Sequence, residues 1–182
     1  MSKQKKVATA ADVIRARRIA LNTRQEYVSL FSRVVVLALA EYVIFTQVFL
    51  ITRNKGLDMF PAMKDGDLII AYRLQQDYAK NDVVVYTIDG VQKVGRIIAR
   101  GTDVVDMDDS GTLRVNGTVQ TGDIMYPTYA KEEIEYPLRV AENQVFVLGD
   151  YRTNCEDSRD YGTVSESDVK GKVITILRRR GL

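Results

Sequence analysis

A chain of 182 residues with no histidine, one cysteine and a net charge of +2 has room for one ordinary folded domain and little more. Without histidine there is no Ser-His-Asp triad, Cys-His dyad or imidazole-bound metal; a lone Cys155 excludes an internal disulfide and cysteine-rich metal sites, so neither metal nor cofactor is expected. A nucleic-acid binder needs its positive charge on the folded body, whereas here Lys3, Lys5, Lys6, Arg15, Arg17, Arg18, Arg24 and Arg33 outweigh Asp12 and Glu26 within residues 1–33 and the rest is net acidic.

Residues 1–33 read as a basic cytoplasmic tail. Within it, "TAADVIRARRIAL" puts Val13, Ile14, Ala16, Ala20 and Leu21 at helical spacing with arginines opposite. That pattern suits either a helix lying on anionic membrane lipid or a solvated topogenic tail. Val34 to Ile51 follows as an apolar run interrupted by Glu41, Thr46 and Gln47. At a helical rise it spans roughly 27 Å, near the thickness of a hydrocarbon core, and residues 34–51 are expected to be a transmembrane anchor. The basic excess ahead of it places the N-terminus in the cytoplasm and the main domain outside the cell membrane, in a single pass. No small-x-small cleavage site follows, so the anchor is expected to be retained. Glu41 is either a contact with another membrane helix or a protonated, tolerated carboxyl.

Residues 53–182 change to short β-rich segments punctuated by turns. "DLIIAYR", "DVVVYTI", "VQKVGRIIA", "TLRVNGTVQ", "NQVFVLGD" and "KVITILR" are the strongest strands. Asp89-Gly90 joins two of them and Asn116-Gly117 splits another, and both dipeptides favour the positive φ angles of tight hairpins. Ser165 can cap a short helix. The expected fold is a mainly β, antiparallel domain behind an N-terminal transmembrane helix.

"GDYRTNCEDSRDYG", Gly149 to Gly162, is the most specific run. Its Asp and Arg residues can pair bidentately and fix a turn. Gly149, Asp150, Arg152, Asp157, Ser158 and Arg159 resemble the C-terminal signature of type I signal peptidases. "DMFPAMKDGDLII", "AKNDVVVY" and "VQKVGRIIARGTDVV" with the Asn116-Gly117 turn resemble the other boxes of that family in order, with Asn81 where glycine is usual. The resemblance covers about residues 30–177 and implies a membrane-anchored serine endopeptidase fold.

It also implies a defect. The family's nucleophilic serine precedes the methionine matched by Met59, and its general-base lysine precedes the arginine matched by Arg96; those two positions hold Asp58 and Gly95. No serine occurs between Arg33 and Ser110, so no register shift restores the nucleophile. Lys93 shares a strand face with Gly95 but stands one pleat away, about 6–7 Å, too far for proton transfer from the same place; it is expected to pair with Asp58. Asp58 itself can recognise a lysine or amine, pair with Arg96 or Lys93, or face solvent. Cys155 replaces a serine of the signature and is an alternative nucleophile only if neighbouring arginines lower its pKa. Met59, Phe60 and Pro61 are expected to supply apolar surface to a groove shared with Asp58, Lys93, Arg96 and Cys155.

Asp and Gly at the dyad positions are similar to the signal-peptidase-like pilus-assembly proteins (SipA type) of streptococci, Gram-positive cell-surface proteins. That likeness implies a pseudoenzyme acting as chaperone or scaffold, with pilin subunits, sortase or another extended peptide as partner. An active signal peptidase with an unconventional catalytic group and an accessory subunit recruiting an active peptidase stand as the alternatives.

Overall fold

The computed structural model describes residues 10–120 and 126–178; Lys3, Lys5 and Lys6 of the basic tail lie outside them, as do the side chains of Ala16, Ala20 and Leu21. The chain forms two units, residues 1–45 and 46–182.

Helix α1 (Ala10–Val48) is continuous through the segment where a separate surface helix was an option. Its stretch Thr23–Val48, 26 residues, is long and apolar enough to cross a membrane. The expected anchor, residues 34–51, is therefore shifted: it starts earlier, and Phe49, Leu50 and Ile51 belong to a strand. They pair with Tyr72, Ala71 and Ile70. An apolar run rich in β-branched and aromatic residues suits either element, and here β2 supplies the partner that claims its backbone.

The second unit is built from β1 (Phe49–Arg53), β2 (Leu68–Tyr72), β3 (Val83–Ile88), β4 (Val91–Arg100), β5 (Val104–Met107), β6 (Leu113–Val115), β7 (Thr118–Val119), β8 (Leu138–Arg139), β9 (Gln144–Leu148), the single-turn helix α2 (Ser158–Tyr161), β10 (Val164–Ser165) and β11 (Val169–Leu177). Seven strands form one sheet in the order β1-β2-β11-β3-β4-β9-β10, and four short ones form another, β7-β6-β5-β8. Every pairing is antiparallel. The turns do what their residues allow: Asp89 and Gly90 adopt φ of 50° and 79°, and Asn116 and Gly117 adopt 51° and 76°, which closes the β3–β4 and β6–β7 hairpins.

The second half of β4 and strand β9 are buried on both faces, which explains the apolar runs Ile97–Ala99 and Val145–Leu148. On one face Ile97, Val145 and Val147 pack with Val84, Tyr86 and Val164. On the other, Ile98, Phe146 and Leu148 meet Val105, Met107, Leu113 and Val115 of the small sheet. A third cluster, Met59, Met63, Ile69, Ala71 and Val85, sits under the loop between β1 and β2.

Candidate functional site

The β1–β2 loop is tied at both ends before it presents anything. Buried Asn54 donates its backbone N–H to the Asp67 carbonyl at 2.8 Å and its side-chain amide to the Lys64 carbonyl at 3.1 Å, while the Asp67 carboxylate accepts from the Lys64 N–H at 2.9 Å. Met59 is fully buried in the core beneath, so it anchors the loop and does not line a groove, as the sequence had implied. Pro61 is exposed, and Phe60 packs edge-on against Tyr151, ring centroids 6.0 Å apart. Asp58 is thereby held half-buried at the loop's inner turn.

Asp58 meets the Gly149–Gly162 loop through its backbone. Its carbonyl accepts from the Tyr151 N–H at 2.9 Å. A Cβ on Gly149 would lie 2.6 Å from that carbonyl and 2.7 Å from Cys155 Sγ, so only glycine lets the two loops touch. The Asp58 carboxylate has no hydrogen bond or ion pair among the described residues. Burial raises its pKa; the charge of Lys93 opposes this, while the Asp157 and Glu156 carboxylates add to the rise.

Lys93 does not pair with Asp58. Its Nζ sits 2.5 Å from Glu156 Oε2 and 5.6 Å from the centroid of the Tyr161 ring. Arg96 makes a two-pronged bridge to Asp150, Nε to Oδ1 at 2.8 Å and Nη2 to Oδ2 at 2.7 Å. Neighbours on a strand point to opposite faces, so Arg96 and Gly95 serve different sides of β4.

Gly95 leaves no cavity. A Cβ there would fall 2.5 Å from Val147 Cγ1, 3.2 Å from Tyr86 Cε1 and 3.3 Å from the Leu148 carbonyl. Tyr86 is locked in turn, its hydroxyl 2.6 Å from that of Tyr161, and burial holds both phenols well above the ordinary range.

Behind this lies a buried charged core. Asp157 takes both arms of Arg159, Nε to Oδ1 and Nη2 to Oδ2 at 2.9 Å each, and accepts from the Gly149 N–H at 3.1 Å. Burial acts to raise its pKa, but the Arg159 hydrogen bonds and charge win and hold it below the usual carboxylate range. Cys155 donates its thiol proton to Asp157 Oδ2 at 3.1 Å. Burial, then the Asp157 charge, push that thiol up to about 12 against the pull of Arg159, so arginine does not activate it. Ser158 Oγ accepts the Val147 N–H at 3.0 Å and is fully buried. Arg152 is buried, donating Nε to the Gly149 carbonyl at 2.8 Å and Nη1 to Thr128 Oγ1 at 2.7 Å. The signature is thus a structural network.

A cleft of about 490 Å³ opens beside Asp58, one wall running from Thr52 to Lys55 and the other from Gly90 to Val94. Both walls end in spare strand edges. Among the described residues β1 pairs only with β2, and β4 meets β9 only from Arg96 onward. Thr52 Oγ1 donates to Gln92 Oε1 across the gap at 3.3 Å. Sequence reasoning missed Glu156, Tyr86, Tyr161, Val147 and Lys131, whose Nζ bridges Asp160 at 2.6 Å and the Cys155 carbonyl at 2.9 Å; of these only Lys131 lay outside every noticed motif.

An antiparallel β-domain with a strand-edged cleft, a buried Asp-Arg loop behind it and an apolar helix before it has the layout of a membrane-associated peptidase fold. The chain belongs to the signal peptidase, peptidase S26 family, whose model matches residues 24–177. It is 29% identical to Signal peptidase I of Bacillus licheniformis over 82% of this chain and 86% of that protein. It is 30% identical to the probable thylakoidal processing peptidase 2 of Arabidopsis thaliana over 64% of this chain, but the match spans only 34% of the plant protein. A crystal structure of a signal peptidase I from Enterococcus faecalis superposes over 54% of this chain and 97% of that one, with 27% identity and a TM-score of 0.46.

Proposed function

We propose that this protein holds an extended peptide segment in the cleft beside Asp58 without cutting it, and that it serves as a chaperone or scaffold in pilus assembly with pilin or sortase as partner. The observation that carries the first part is the closure at Gly95. Acyl transfer by a serine-lysine pair needs a hydroxyl and a neutral amine in contact. Beside Asp58 the hydroxyl is absent, and the place for a side chain on Gly95 is filled by Val147 and Tyr86. Lys93 is paired with Glu156 and so is held as a cation, and Cys155 is a buried, protonated thiol. Peptide holding by strand addition uses backbone groups rather than a catalytic pair, and the two spare strand edges offer those groups. The pilus role rests on Asp58 and Gly95 standing where streptococcal pilus-assembly relatives have Asp and Gly. The basic residues ahead of the apolar helix support a cytoplasmic N-terminus with residues 53–182 outside.

The test is mass spectrometry of signal-peptide and pilin-leader substrates incubated with the full chain in detergent, beside an active signal peptidase. Uncut substrates that co-elute with the protein support the reading; cleavage at an Ala-x-Ala site sinks it. The second reading, an active signal peptidase, is favoured by the names of the similar proteins and predicts that cleavage.

A further inference from the structure

We infer that the cleft selects an extended segment bearing acidic side chains. The inference rests on the peptide-holding reading and adds to it what the occupant's side chains must be.

Three cations line the cleft, Arg53, Lys55 and Lys93, against one carboxylate, Asp58. Arg53 and Lys55 are exposed and make no hydrogen bond or ion pair among the described residues, so their charge is not spent within the domain. Lys93 differs. Its side chain is only 14% exposed, while that of its partner Glu156 is 69% exposed. A buried cation whose counter-ion is a freely solvated side chain can exchange that counter-ion for an incoming carboxylate at little cost, because Glu156 regains full hydration when it leaves. The walls themselves are polar: Thr52 and Gln92 face each other across the gap at 3.3 Å.

A strand laid between the edges of β1 and β4 presents every second side chain to the same wall. Carboxylates two residues apart on such a strand match cations at Arg53 and Lys55, which share the same spacing along their own wall. Main-chain hydrogen bonds then supply affinity, and charge supplies the choice of partner.

The experiment uses the full chain in zwitterionic detergent and the peptide acetyl-Thr-Val-Glu-Val-Glu-Val-Thr-Val-amide carrying an uncharged fluorophore, read by anisotropy. Its counterparts replace both Glu by Gln or by Lys. At low salt the Glu peptide is expected to bind about tenfold tighter than the Gln peptide, with the gap closing as salt rises. In the variant Arg53→Gln/Lys55→Gln, checked for native circular dichroism, the gap narrows to about threefold or less. Equal binding of Glu and Gln peptides overturns the inference and leaves the peptide-holding reading standing. Tighter binding of the Lys peptide overturns it too, and makes Asp58 the recognising group. Displacement by millimolar inorganic phosphate as effective as by unlabelled Glu peptide overturns it in favour of a simple anion site. Failure of all three peptides to bind overturns the peptide-holding reading, and the inference with it.

Discussion

A Cβ on Gly95 would stand 2.5 Å from Cγ1 of Val147, closer than two carbon atoms can approach without displacement. Val147 is fully buried on β9, and its methyls branch from the Cβ that is itself bonded to the backbone, so it has no long flexible end to swing aside. The wall that closes the space is thus as rigid as the sheet. Gly95 and the neighbours that fill the space beside it form one packing unit, and a side chain cannot be added at Gly95 without moving them.

Gly95→Ala is accordingly expected to destabilise the fold by about 1–3 kcal/mol, the usual range for overpacking a core. Val147→Ala should relieve part of that cost, so the double variant is more stable than the sum of the single effects predicts. Thermal or denaturant melts of the four proteins check this; strict additivity would show that the two positions are not in contact. Asp58→Ser combined with Gly95→Lys is expected to leave signal-peptide substrates uncut in the same mass-spectrometric assay, because the added lysine has no room to reach the serine.

Cys155 should behave as an inert thiol. With its pKa near 12, alkylation by iodoacetamide at neutral pH is expected to run roughly a thousandfold slower than for an exposed cysteine with a pKa of about 8.5. The rate should rise about tenfold per pH unit with no plateau below pH ~10. A raised folded-state pKa also means that the thiol's contribution to stability is full below its unfolded pKa and is lost as pH climbs through the folded value. A plateau near pH 7 would mark an activated nucleophile and revive Cys155 as a catalytic candidate.

The two carboxylates on either side of Gly149 should titrate with opposite signs. Asp157 is held below its ordinary pKa, so its stabilisation is present above the unfolded value, near pH 4, and drains away as pH falls. Asp157→Asn leaves Arg159 buried and uncompensated and is expected to cost about 3–5 kcal/mol at pH 7. Asp58 is held above its ordinary pKa, so ionising it works against folding. Asp58→Asn should therefore raise Tm at pH 7 and have no effect at pH 3, where both side chains are neutral. A fall in Tm at pH 7 would mean that the Asp58 carboxylate is tied to a cation.

Ser158 is expected to act through its acceptor lone pair alone. Ser158→Ala strands the Val147 N–H in the interior and should cost about 1–3 kcal/mol, while changing peptide binding in the cleft no more than the stability loss accounts for. A binding defect in folded Ser158→Ala protein would place this hydroxyl in direct contact with the occupant.

Chain-local signals alone determined much of this protein. Short β-rich segments between turns marked β2, β3, β4, β6, β9 and β11, the Asp89-Gly90 and Asn116-Gly117 dipeptides marked the hairpins, and the absence of serine between Arg33 and Ser110 removed a hydroxyl nucleophile from the β1–β2 loop. These are properties of neighbouring residues, and periodicity and turn chemistry read them directly. Tertiary structure decided the rest. Phe49–Ile51 became strand because β2 offered its edge, Met59 became core because the loop above it is pinned at Asn54 and Asp67, and Lys93 took Glu156, distant in the chain, in place of Asp58. The closure at Gly95 belongs to the same group: whether a glycine leaves a hole depends on which side chains from other strands lean over it, and that is settled only when β3, β4 and β9 pack.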